Sequence, residues 1–136
     1  MIFVDTSAFY AAADRGDTHH ARAVELLGAG DPLVATDHIL LETWILLDAH
    51  LGRHAAQSFW AGVRGGAVDV ATVGPADLDR AYAIAGDFPD QGYSIVDMTS
   101  FAVMERLSIA RVASFDHHFA VHRHGPHRDR SFQVLA

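Results

Sequence analysis

The chain has 136 residues, half of them hydrophobic, with no cysteine and a formal net charge of −7. That length and apolar share suit a single domain spanning 1–136 with its own core. The composition excludes disulfides and thiolate metal sites. The charge excludes a broad basic surface for nucleic acid, so a phosphate-bearing substrate has to be held locally, by a metal ion or a few Arg side chains.

No run is long enough to span a membrane, and MIFVDTSAF lacks the basic start and long apolar stretch of a signal peptide. A cytoplasmic protein is therefore expected. All ten basic residues are Arg, which reads as a compositional trait of the source rather than a functional one.

The chain opens with the apolar Ile2-Phe3-Val4 and then Asp-Thr-Ser, a pattern for a buried strand running straight into a helix. Residues 17–28 predict a helix with Ala23, Val24 and Leu27 on one face. Leu33-Val34-Ala35 predicts a second strand, and Thr36 or Asp37 can cap the helix that follows. That helix carries ILLETWILL, in which Glu42 stands among apolar neighbours with no polar face to lie on. Burying such a charge costs several kcal/mol (order of magnitude) unless something pairs with it.

After Gly52, residues Ala56, Phe59, Trp60 and Val63 repeat at helical spacing. The alternation of 68–73 predicts a strand. Pro75 opens a helix with the stripe Leu78, Ala81, Tyr82 and Ala85. Gly86 to Gly92 reads as a loop, and Ser94 starts the apolar helix SIVDMTSFAVMERL. Residues 111–115, RVASF, predict another strand. A short helix after Asp116, a polar His- and Arg-rich segment and a last strand at FQVL complete the chain. Strands alternating with helices give an α/β fold with a largely parallel sheet.

Sites in such sheets form beyond the carboxyl ends of the strands. Asp5 and Asp116 each follow a strand directly, so they meet if those strands are neighbours. Glu42 and Asp97 lie on helices that need only lean over the same edge. Each acid also has a purely structural reading: a helix cap for Asp5, a capping box with Ser94 for Asp97, a turn for Asp116, and a buried pair with an Arg for Glu42. Four converging carboxylates repel one another and raise some of their pKa values, and a divalent cation relieves this. Oxygen ligands favour Mg2+ or Mn2+, ions that activate water for attack on a phosphodiester.

With FVDTSAFYA, LLETWILL, SIVDMTSFAVMERL and RVASFDHHFAV in this order, the whole chain resembles a PIN-domain ribonuclease of the VapC toxin type. The resemblance implies a three-layer α/β/α fold and an acidic metal cluster, here Asp5, Glu42, Asp97 and Asp116. It assigns supporting hydroxyls to Thr6 or Ser7, Ser94 and Ser114. It further implies Mg2+- or Mn2+-dependent hydrolysis of RNA that stops translation, a small VapB-type antitoxin whose arm reaches the acids, and a homodimer. His118 and His122 stand one turn apart if helical and could bind a metal; the reading adopted is exposed surface. A haloacid-dehalogenase-type phosphatase needs a second Asp two residues after the first, where Ser7 stands. A housekeeping RNA-processing PIN nuclease and a non-catalytic PIN-like binding module remain as alternatives.

Overall fold

A computed structural model describes residues 1–136. In chain order the elements are β1 (Ile2–Val4), α1 (Thr6–Ala13), α2 (His20–Leu27), β2 (Leu33–Thr36), α3 (Asp37–His50), α4 (Arg53–Arg64) and β3 (Asp69–Ala71). They continue as α5 (Pro75–Asp87), α6 (Ile95–Leu107), β4 (Arg111–Ala113), α7 (His118–Val121), β5 (Arg123–His124), β6 (Arg130–Ser131) and β7 (Gln133–Leu135). No helix is long and apolar enough to cross a membrane.

Five strands form the expected parallel sheet, in the order β3-β2-β1-β4-β7. The core of the sheet lies at its centre, where Ile2, Phe3 and Val4 of β1 and Val112 and Ala113 of β4 are all buried. The chain steps outward from β1 to β3, then crosses back to β4 and on to β7. Right-handed crossovers in the two directions put helices on both faces, with α1–α4 on one and α5–α7 on the other. The order reverses between β1 and β4, and that switch point opens a crevice above their carboxyl ends.

Local signals set the helix starts. The Thr36 hydroxyl accepts from Ile39 N at 3.1 Å, so Thr36 caps α3. Ser94 and Asp97 form the capping box of α6. Two predicted stripes are displaced. In α2 Val24 is exposed and Ala23 with Leu26 is buried. In α5 Tyr82 is 84% exposed, and the buried line is Asp77, Ala81 and Ile84. Asp77 is drawn inward by Arg106 of α6, with Nε–Oδ1 at 2.8 Å and Nη2–Oδ2 at 3.0 Å. That guanidinium holds the Asp77 carboxyl below the usual range.

The helix carrying Glu42 also differs from expectation. Leu41 and Ile45 are 57% and 64% exposed, and Glu42 itself is half-buried rather than enclosed. Apolar content alone does not distinguish a core helix from one presenting an oily face outward. The polar segment after α7 folds into an antiparallel ribbon, β5 paired with β6, which no alternation of apolar residues announced.

Candidate active site

Asp5 and Asp116 come together because β1 and β4 are hydrogen-bonded neighbours, with Val4 in register with Ala113. The chain leaves each strand into the switch-point crevice, where the side chains collect in an open cleft of about 510 Å3. Its walls include Asp5, Glu42, Asp97 and Asp116, so all four acids picked from the sequence share one cavity.

Asp5 is the deepest, at 5% exposure. It precedes α1 but makes no side-chain capping hydrogen bond, which removes the cap reading. The Ser7 and Ser114 hydroxyls both donate to its Oδ2, at 2.8 and 2.9 Å. Its other oxygen is left without a side-chain donor. Burial raises its pKa to about 6, and the two hydroxyls offset only part of that rise. The hydroxyls are themselves fixed: Phe115 N donates to Ser7 Oγ at 2.9 Å, and Asp116 N to Ser114 Oγ at 3.1 Å. Of the pair Thr6 or Ser7, it is Ser7 that touches Asp5. Thr6 is buried with its hydroxyl unpartnered.

Asp97 and Asp116 each carry out the structural task the sequence allowed while also facing the cleft. Ser94 N donates to Asp97 Oδ2 at 3.0 Å, and Asp97 N donates to Ser94 Oγ at 3.0 Å. His118 N donates to Asp116 Oδ1 at 2.9 Å, which closes the turn into α7. Glu42 makes no ion pair, so the buried Glu–Arg reading does not hold.

His118 and His122 are not exposed surface residues. His118 Nδ1 lies 2.8 Å from Asp97 Oδ2 and 3.5 Å from Asp116 Oδ1. A carboxylate only accepts, so Nδ1 carries the proton. His122, 1% exposed, stacks on Phe101 at 4.1 Å, and burial lowers its pKa to about 4. Its ring makes no hydrogen bond and it takes no part in the cleft. His19 also lines the cleft, stacked on Phe115 at 4.4 Å, along with Tyr10 and Asp17. None of these three was singled out from sequence. A His two residues beyond a strand-end Asp was the available signal for His118.

The donor set suits a hard divalent cation. Asp5 is a buried carboxylate whose only side-chain partners are hydroxyls, and no Arg lines the cleft to neutralise the four acids. Asp116, His117 and His118 offer ligand atoms within 4.8 Å of one another.

Residues 2–124 match the PIN domain family. The chain is 38% identical over 122 residues to the 23S rRNA-specific endonuclease VapC20 of Mycobacterium tuberculosis, covering 88% of this chain and 92% of the relative. It is 27% identical over 124 residues to Ribonuclease VapC26 of the same species, covering 90% and 92%. The crystal structure of Mycobacterium tuberculosis VapC20, described as a sarcin–ricin loop cleaving toxin, superposes with a TM-score of 0.82 at 34% identity, over 88% of this chain and 93% of that one. A toxin–antitoxin complex from Klebsiella pneumoniae shares the fold, with a TM-score of 0.67 at 12% identity over 87% and 88%. Family match, identity and coverage agree that this chain belongs to the PIN-domain family, among its VapC-type members.

Proposed function

We propose that the chain is a divalent-metal-dependent endoribonuclease and the toxin of a toxin–antitoxin pair. The observation that carries this reading is the cleft in which Asp5, Glu42, Asp97 and Asp116 gather with no Arg side chain to neutralise them. The likeness to a 23S rRNA-specific endonuclease supports RNA as the substrate and makes 23S rRNA the first molecule to test. An RNA target puts the site of action in the cytoplasm.

Asp5, Asp97 and Asp116 would hold Mg2+, or Mn2+ in its place. The bound ion would supply Lewis-acid stabilisation of the phosphodiester and a more acidic water. Ser7 and Ser114 fix Asp5 by loading one of its oxygens, and His118 with Ser94 N fixes Asp97. Glu42, on a different helix, faces the cleft free of ion pairs, in a place to accept a proton from water or to add a ligand oxygen.

A nuclease acting on its own cell's RNA needs restraint. The cleft calls for a cationic side chain, and an Arg fork pairs bidentately with carboxylates. Leu41 and Ile45 expose apolar surface on the same helix as Glu42, which supports a small antitoxin whose helix covers them while its arm enters the acids. Structures sharing the fold include toxin–antitoxin complexes. A second copy of the chain is the other partner proposed.

Brief expression followed by sequencing of RNA fragment ends tests the reading. A few discrete new ends with growth arrest, both relieved by co-expressing the antitoxin, are expected. Normal growth with unchanged RNA ends would move the chain to an RNA-processing or binding role.

A further inference from the structure

A second cavity is larger than the acidic cleft. It holds about 900 Å3 and lies at the other end of α6, where Met104, Glu105 and Ser108 form its floor. Four of the ten Arg line it, Arg80, Arg123, Arg128 and Arg130, against two carboxylates, Asp87 and Glu105. In a chain of net charge −7 this is a concentrated excess of positive charge.

The two carboxylates are already engaged. Arg80 Nε lies 3.1 Å from Glu105 Oε2, and Arg128 Nη2 lies 3.1 Å from Asp87 Oδ2. Arg123 has no carboxylate partner and spends only Nη1 on the carbonyls of Ala120, Val121 and His122. Arg130 has neither a carboxylate nor a carbonyl partner and is exposed. Three of the four Arg belong to the β5–β6 ribbon, whose two-residue strands bury little. The ribbon turns at Gly125, φ 88°, where an added Cβ would stand 3.0 Å from Arg130 Cδ. Glycine there lets the turn fold against the Arg130 stem.

We propose that this Arg cleft is a second RNA site, holding backbone phosphates away from the bond that is cut. The inference rests on the ribonuclease reading for its ligand class. Along α6, Asp97 in one cleft and Glu105 in the other stand roughly 12 Å apart at 1.5 Å per residue. A single phosphate cannot use both. A folded RNA can, with the acids taking the scissile phosphate through a cation and the guanidiniums taking phosphates directly. The arrangement answers how an acidic protein retains a polyanion, by two local sites instead of a basic face. It also predicts a preference for folded RNA over short strands.

The test uses Arg130→Glu, which breaks no side-chain hydrogen bond or ion pair within the chain, and Arg123→Gln as a second variant, each compared with the unaltered protein. Two RNAs are supplied: a trinucleotide that occupies only the acidic cleft, and a stem-loop of about 30 nucleotides. For the stem-loop, KM should rise at least ~10-fold with kcat unchanged, and the salt slope of binding should drop by about one for each phosphate that is no longer held. Trinucleotide cleavage should not change. Stem-loop affinity is also read by fluorescence anisotropy in an Asp5→Asn background, without cleavage. An Arg-dependent affinity with no cleavage by the unaltered protein would sink the catalytic reading and leave this site standing. Equal stem-loop affinity and KM in the variants overturn the proposal.

Discussion

His118 holds two of the four acids at once. Its ring Nδ1 lies 2.8 Å from Asp97 Oδ2, and its backbone N–H donates to Asp116 Oδ1 at 2.9 Å. The ring also meets Tyr93 edge-on at 5.3 Å, so its orientation is set by packing. Removing the ring leaves Asp97 steered by Ser94 N alone. Partners of this kind around metal-binding carboxylates are worth roughly 10–100-fold in metal affinity. His118→Ala should weaken Mn2+ binding by that order in calorimetric titration, with the thermal midpoint of the metal-free protein little changed. Undiminished affinity would mean that the ring serves only to pack α7.

Asp5 and His122 act on stability in opposite senses as pH changes. Burial raises Asp5 from 3.8 to about 6. The folded chain binds this proton more tightly than the unfolded chain, so the contribution is full below pH 3.8 and is lost as pH rises through 6. Burial lowers His122 from 6.5 to about 4. Its contribution is full above pH 6.5 and is lost as pH falls through 4. Between pH 4 and 6 the two slopes largely cancel. In EDTA, Asp5→Asn should expose the His122 slope, with stability rising by about 2–3 kcal/mol from pH 4 to 6.5. His122→Phe should expose the reverse slope. Urea unfolding at a series of pH values decides it, and flat profiles in both variants would refute both assignments.

Glu42 is half-buried on the cleft side of α3 and forms no ion pair, so its carboxylate is not needed to hold the helix in place. Glu42→Leu should change unfolding free energy by no more than about 1 kcal/mol, as for substitutions outside the core. Cleavage should fall roughly 100-fold or more, the scale of losing a group that manages a proton. A variant that is strongly destabilised yet still cuts RNA would return Glu42 to a structural role.

The parallel sheet was legible because β1 and β2 are short apolar runs ended by Asp5 and Thr36, and because Ser94 and Pro75 mark helix starts locally. Asp5 was legible as a strand-end acid, whereas the strand expected over 111–115 ends at Ala113 and leaves Asp116 three residues beyond it; their meeting depends on β1 lying beside β4. The pairing of Asp77 with Arg106 joins residues 29 apart, and nothing in either neighbourhood announces it. The β5–β6 ribbon escaped because strands built from Arg, His and Ser carry no apolar alternation. His118 looked like one more surface His until α7 folded it back onto Asp97. Helix α3 misled in the other direction, since apolar residues kept for a partner have the same pattern as apolar residues kept for a core.

The most direct test of the account is RNA cleavage by Asp5→Asn, measured with Mg2+ and with Mn2+ on 23S rRNA. The substitution keeps the shape and the hydrogen bonds from Ser7 and Ser114 while removing the charge from the deepest point of the acidic cleft. The unaltered protein should cut only when the metal is present. The variant, folded by circular dichroism, should cut at least ~100-fold more slowly with either ion. Cleavage at the unaltered rate, or undiminished cleavage by the unaltered protein in EDTA, would contradict a metal-dependent nuclease site built on Asp5.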